Sequence, residues 1–262
     1  DLILLAMSAT LDAEPVAALM DAPMVTSEGR SYPVETCWLE RPLPAQARRV
    51  DALTDLVVQA EKETRQTGGG ILVFLPGEGE IRRAAGALDK RLPGHCHIRP
   101  LFGALPFAEQ RAAIQPEKTG RKVVLATSIA ETSLTIQDIR VVVDLGQARR
   151  ARFDPGSGMS RLVTEKVTRA EATQRQGRAG RVAEGICYRL WTKGEEGALM
   201  AFPPAEIESA DLTDLALELA LWGAAPEDLS FLSQPPAGAM AEAQALLHML
   251  GALDAQGRIT EH

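Results

Sequence analysis

The stretch Lys122-Val123-Val124-Leu125-Ala126-Thr127-Ser128-Ile129-Ala130-Glu131-Thr132-Ser133-Leu134-Thr135-Ile136 decides the fold. It opens on a continuous apolar run, the mark of a strand buried on both faces, as in a parallel sheet. The run gives way at Thr127 to a loop rich in hydroxyls. In an open parallel sheet, ligands bind outside the carboxyl ends of the strands. Thr127 and Ser128 therefore stand where hydroxyls and loop N–H groups can hold phosphate oxygens. A plainer role fits the same residues: Thr127 or Ser128 caps a helix and Glu131 closes the capping box. The two roles are compatible.

Outward from this stretch the pattern repeats. Ile71–Leu75 is a short apolar run between Gly68-Gly69-Gly70 and Pro76-Gly77, and Val141–Val143 and Ile186–Trp191 are two more. Helical patterns fall between the runs, over 45–66, 79–92, 107–114 and 170–179. Such alternation predicts βαβ units and an α/β fold, a parallel sheet with helices on both faces. Upstream, Leu2–Met7 reads as a buried strand and 12–20 as a helix, too little to bury a core alone. After Pro203-Pro204 the chain becomes mostly helical, with helices over 211–222 and 237–250 separated by Ser233-Gln234-Pro235-Pro236. Asp211 is placed as an N-cap and Gly251 as a C-cap; a short strand follows at Arg258-Ile259-Thr260. The expected domains are 1–27, 28–204 and 205–262.

Composition sets the class. Of 262 residues, 45% are hydrophobic and 24% charged, which excludes a disordered, collagen-like or coiled-coil chain. The absence of an apolar run of about 18 residues predicts no membrane span, and the N-terminal apolar stretch lacks the basic region of a signal peptide. Cys37, Cys96 and Cys187 form no CxxC, so reduced thiols and a cytoplasmic setting are expected. His95-Cys96-His97 invites a metal reading, but the sequence offers no third ligand nearby, and no metal site is expected. Gly77-Glu78-Gly79 is a turn and not a dinucleotide fingerprint.

Charge is uneven. The net formal charge is −7, yet residues 140–181 hold ten basic and four acidic side chains, and residues 182–262 three basic and thirteen acidic. A basic stripe in an acidic chain points to phosphate or a nucleic-acid backbone. Its densest part is Gln174-Arg175-Gln176-Gly177-Arg178-Ala179-Gly180-Arg181. If a helix ends here, Gln174, Arg178 and Arg181 lie at i, i+4 and i+7 on one face and can present guanidinium forks to one phosphate chain. The alternative is a solvated basic helix end that favours the dipole.

Together, ATSIAETSLTI (126–136) and QRQGRAGR (174–181) resemble motifs V and VI of the DExH/DEAH-box helicases of superfamily 2, nearest the bacterial HrpB-like branch. Ser8-Ala9-Thr10 is similar to motif III, Leu72–Ile81 to motif IV, and Gly29–Val34 to the joint into the second RecA-like lobe. Leu212–Gly223, Pro235-Pro236 and Leu250–Asp254 are similar to the winged-helix segment after that lobe. The resemblance implies the second RecA-like lobe and a partial winged-helix unit of an ATP-dependent RNA helicase, using ATP and Mg²⁺. It implies arginine fingers at Arg178 and Arg181, with Gln174 near the attacking water. Thr135 and Gln137 would lie by the nucleotide, Thr127 and Ser128 on RNA, and Ser8 and Thr10 would couple hydrolysis to lobe movement. Between the two motifs, Gln147–Val163 reads as a β-hairpin with a Pro-Gly turn and resembles the family's strand-separating hairpin. Arg149, Arg150 and Arg152 on it are the candidates for salt-sensitive backbone contacts.

The chain departs from the pattern in places. Ser128 replaces the usual asparagine, Gln137 an acidic residue near the ribose, and Ile114 stands where some relatives carry an aromatic that stacks on adenine. There is no GxxxxGK[ST] and no DExH. The Mg²⁺ ligands and phosphate loop are therefore expected on a first RecA-like lobe of the same polypeptide, and the chain alone is expected to be inactive as an ATPase. The expected partners are single-stranded or partly duplex RNA and that first lobe, with no membrane. Two other readings stay open: a non-catalytic RNA-binding module that keeps a helicase-like lobe, and a DNA-directed translocase of the same superfamily.

Overall fold

Six segments pair into one wholly parallel sheet: β1 (Val34–Leu39), β2 (Gly70–Phe74), β3 (Cys96–Leu101), β4 (Arg121–Ala126), β5 (Ile139–Asp144) and β8 (Gly185–Thr192). Their spatial order is β1-β8-β5-β2-β4-β3. Two further strands, β6 (Gln147–Asp154) and β7 (Met159–Lys166), pair as a separate hairpin. The helices are α1 (Ala13–Met20), α2 (Arg49–Glu63), α3 (Glu78–Asp89), α4 (Phe107–Ile114), α5 (Arg169–Gly177), α6 (Lys193–Gly197), α7 (Thr213–Trp222) and α8 (Ala237–Met249). The computed structural model describes residues 3–7, 13–26, 31–131, 134–154 and 157–261. The chain divides into two compact units, residues 28–149 with 164–203, and residues 1–27 with 150–163 and 204–262.

In the first unit β2 and β4 are buried along their whole length, as continuous apolar runs require. Leu53, Val57, Ile81 and Leu88 of α2 and α3 cover one face of the sheet. Ala113 of α4, Ile136 of the segment after β4, and Ala179 cover the other. The sequence reading missed β1 and β3, which are the two edges of the sheet. Edge strands are half-buried and carry no continuous apolar run; β3 even holds Pro100, which an edge tolerates because one side needs no ladder bond.

The expected strand at Leu2–Met7 is a correction. Residues 3–7 form no strand, and Ile3, Leu5 and Met7 are 89%, 76% and 84% exposed. An apolar run makes a buried strand only where a neighbouring strand takes its backbone groups, and among the described residues none pairs with it. The helix after it is present as α1, with no buried residue.

In the second unit Leu212, Ala216 and Leu219 of the α7 segment pack against Met240, Ala243 and Leu247 of α8 and against Leu253. Asp211 accepts from Thr213 N at 2.9 Å, one position upstream of the N-cap, Leu212. Gly223 and Gly251 end the two helices at φ 67° and 75°, the left-handed conformation that glycine adopts without a Cβ penalty. The expected last strand is reduced to one bridge, Leu253 with Ile259. The hairpin matches its prediction; residues 155–156 of its Pro-Gly turn lie outside the described residues.

Two glycines of the sheet unit separate backbone strain from crowding. At Gly68 (φ 69°) a Cβ would stand in open space, with nothing within 4 Å, whereas at Gly146 (φ 77°) it would meet the Trp191 ring at 2.7 Å. Gly68→Ala should cost about 1 kcal/mol of strain, and Gly146→Ala about 3 kcal/mol through strain plus overpacking. Chemical denaturation of the two variants measures both.

Candidate functional site

Strand order fixes the site. β4 ends at the carboxyl edge of the sheet and β5 begins at the amino edge, so residues 127–138 cross from one edge to the other. The chain crosses again between Thr168, beside the carboxyl end of β5, and Gly185, the start of β8. The hydroxyl-rich segment and the arginine-rich segment are these two crossings, and buried arginines bond one to the other.

Arg175 is the chief link. It lies on α5 and is 1% exposed. Its Nη1 donates to Asp144 Oδ1 at 2.7 Å, and its Nε and Nη2 approach Glu131 Oε1 at 2.7 and 2.6 Å. The guanidinium also lies 4.9 Å from the Phe74 ring centroid. These acceptors and the ring come from the ends of β5 and β2 and the loop after β4, so one side chain ties three strand ends to α5. Burial opposes its charge, but Asp144 and Glu131 reverse the balance and hold it protonated. Burial pushes the Glu131 carboxyl above its ordinary range, against the pull of Arg175. The capping role expected of Glu131 is thus replaced: its carboxylate serves Arg175, and Thr127 makes no side-chain cap.

Arg178 makes the second link. It is 5% exposed, and it donates to the carbonyl oxygens of Glu131 and, at 2.6 Å, Leu134. Burial first, and then Arg181, lower its pKa to about 10, so it stays charged at neutral pH. Arg181 is exposed and donates to Thr135 Oγ1 at 3.2 Å. The helix ends at Gly177, so the i, i+4, i+7 face is not realised: Arg178 turns into the loop and Arg181 lies beyond the helix. Gly180 permits the path that follows, because a Cβ there would stand 2.5 Å from the Tyr32 carbonyl oxygen. Gln174 is half-buried and has bonded partners; Gln137 is exposed.

On its other side α5 is held by Arg189 of β8, 3% exposed, which donates to Gln176 Oε1 at 2.7 Å and pairs with Glu196. Its guanidinium lies 5.7 Å from the Trp38 ring and 5.4 Å from the Trp191 ring. A capping box between Thr168 and Glu171 starts the helix.

The carboxyl edge presents different groups. Ser128 is exposed and Thr127 half-buried, its N–H bonded to Leu101 O at 3.2 Å. Arg149 lies over Gly77, where a Cβ would meet its guanidinium at 2.5 Å, and it pairs with Glu80 at 3.2 Å. Strand alternation puts Arg150 and Arg152 on the side of β6 opposite to Arg149; both are half-buried and have interaction partners. The three arginines therefore do not share one face. Ser8 and Thr10 lie outside the described residues. Sequence reasoning missed Arg175, Asp144 and Arg189 as organising groups. The available signal was an acid ending an apolar strand, as Asp144 does.

His95 and His97 face different carboxylates, Glu61 at 3.5 Å and Glu117 at 3.0 Å. No third ligand lies near His95 and Cys96 along the chain, but the fold brings Glu61 beside them, one ligand atom of each lying within 4.8 Å of the others. Among the described residues no helix is long and apolar enough to cross a membrane.

Comparison with known proteins fits this geometry. The helicase conserved C-terminal domain matches residues 48–183. The chain is 48% identical over 259 residues to "ATP-dependent RNA helicase HrpB" of Escherichia coli, covering 98% of this chain and 31% of that protein. It is 39% identical to "Pre-mRNA-splicing factor ATP-dependent RNA helicase prp22" of Schizosaccharomyces pombe, covering 99% of this chain and 23% of that one. Two crystal structures of the E. coli HrpB helicase superpose with TM-scores of 0.87 and 0.89 at 46% identity, over 97% of this chain and about a third of theirs. The RecA-like α/β fold follows from that match, and the chain spans a third or less of the relatives' length. The chain belongs to the helicase conserved C-terminal domain family, on the DEAH/RHA side of it.

Proposed function

We propose that this chain is the second RecA-like lobe (28–204) and the start of the winged-helix domain (205–262) of a cytoplasmic ATP-dependent RNA helicase, with 1–27 belonging to a first lobe. One observation carries the reading: Arg175 and Arg178 bond the arginine-bearing crossing directly to the hydroxyl-bearing one. A cationic end and a hydroxyl end on opposite edges of the sheet then move as one piece. That is what an enzyme needs if phosphate chemistry at one edge is to change the grip on a polymer at the other.

The residues fit a triphosphate. Arg181 is an exposed guanidinium steadied by Thr135, placed to bind and stabilise negative charge on a terminal phosphoryl group. Arg178, assigned as the second arginine finger, keeps its charge and donates to the Leu134 carbonyl next to Thr135. Gln174 is assigned to orient the attacking water, and Gln137 to hydrogen-bond the ribose. ATP supplies the phosphoanhydride, with Mg²⁺ held by carboxylates of the first lobe. At the carboxyl edge Thr127, Ser128 and Arg149 are assigned to the RNA backbone; Arg150 and Arg152, in the other unit, are assigned backbone contacts of their own. Ser8 and Thr10 are assigned to coupling between the lobes.

In the full-length protein, Arg181→Ala should lower RNA-stimulated ATP turnover by about 10³-fold, the scale of a lost arginine finger; unchanged turnover would remove the finger assignment. The isolated chain, lacking GxxxxGK[ST] and DExH, should turn over no ATP in the same assay. Arg175→Met leaves two carboxylates without their buried partner and should cost about 3–5 kcal/mol in denaturation. Arg149→Ala should weaken single-stranded RNA binding uniformly across sequences and reduce the slope of log affinity against log salt by about 0.7, one phosphate contact on a single strand. An unchanged slope would place Arg149 off the RNA.

A further inference from the structure

We propose that Glu61, His95 and Cys96 form a binding site for a borderline divalent transition-metal ion of the zinc class. The three residues meet where the end of α2 abuts the start of β3. One carboxylate oxygen, one imidazole nitrogen and the thiol sulfur all lie within 4.8 Å of one another. Tetrahedral zinc, with bonds of about 2.0–2.3 Å, brings its ligands to about 3.5 Å apart, so the side chains need to close by about an ångström.

The backbone that carries them is already fixed. Arg121 N donates to His95 O at 2.7 Å, Cys96 N to Pro93 O at 2.9 Å, and the buried Arg121 Nη1 donates to Glu61 O at 3.1 Å. Arg121 thus binds the α2 end to the strand beside β3 through the Glu61 main chain and makes no bond to its carboxylate. The donor set mixes sulfur, nitrogen and oxygen, which suits Zn²⁺ or Co²⁺ and not Mg²⁺ or Ca²⁺. Three protein ligands leave the fourth position to water.

Arg65 is the competitor. It grips the Glu61 carboxylate at 2.8 and 3.0 Å, yet its side chain is 53% exposed. An exposed guanidinium loses little by returning to water. On binding, a metal–sulfur bond forms, the Cys96 S–H bond breaks, and the proton leaves to solvent. The site straps α2 to β3, and Zn²⁺ should raise the melting temperature as any ligand of the native state does.

The untagged chain titrated with Co²⁺ tests this. One Co²⁺ per chain should bind with a near-ultraviolet thiolate-to-cobalt band. Cys96→Ser should abolish the band, with unchanged circular dichroism, while Cys37→Ser and His97→Ala keep it. Arg65→Ala should tighten binding by about fivefold or more, because it removes the charge-assisted competitor; this variant needs no core change, so it decides the matter even if Glu61→Gln fails to fold. No thiolate band in excess Co²⁺, a band that survives Cys96→Ser, or an affinity unchanged in Arg65→Ala overturns the site.

Discussion

The guanidinium of Arg175 is the point on which the sheet unit turns. It is buried, it faces two carboxylates, and it stacks against Phe74. A charge in such a place is tolerable only when it is paired and hydrogen-bonded. The pairing fixes more than the arginine. Asp144 ends β5, Glu131 follows β4, and Phe74 ends β2, so the geometry of one cation dictates where three strand ends and one helix stand.

The rest of the site follows from that fixture. With α5 anchored through Arg175 on one side and through Arg189 and its two tryptophans on the other, the chain beyond Gly177 leaves the helix from a defined place. Gly180 then passes against Tyr32 at a distance that only a missing side chain allows, and Arg181 emerges beside Thr135. Thr127 and Ser128 stand at one sheet edge, and Thr135 with Arg181 toward the other, because parallel crossings must run from edge to edge. No side chain was needed to create that separation; side chains were needed to make it rigid.

Much of this was legible in the residues. Continuous apolar runs located β2, β4, β5 and β8, because central strands of a parallel sheet are buried on both faces. They failed at β1 and β3, whose edge positions need only half as much apolar surface, and they misled at Leu2–Met7, which has the composition of a strand but, among the described residues, no ladder to join. The spacing of Gln174, Arg178 and Arg181 suggested one outward face. Periodicity assumes that the helix continues, and here it stops at Gly177. Arg175 is out of phase with that face. Its importance depends on Asp144 and Glu131, 31 and 44 residues away in sequence, a distance that local pattern cannot bridge. Glu61 meeting His95 and Cys96 was hidden for the same reason.

Several of the basic side chains end on main-chain carbonyls and not on acids. Arg178 takes those of Glu131 and Leu134, Lys122 those of Ile114 and Gln115, Arg121 those of Gly69 and Glu61, and Arg140 those of Thr67 and Glu184. A carbonyl is offered by every residue type. Such latches therefore recognise the course of the backbone and are indifferent to the side chains it carries. Loops pinned in this way are free to exchange their outward residues, and with them their ligand preferences, while keeping one shape: Ser128 for asparagine or Gln137 for an acid changes what the loop offers without changing where it runs.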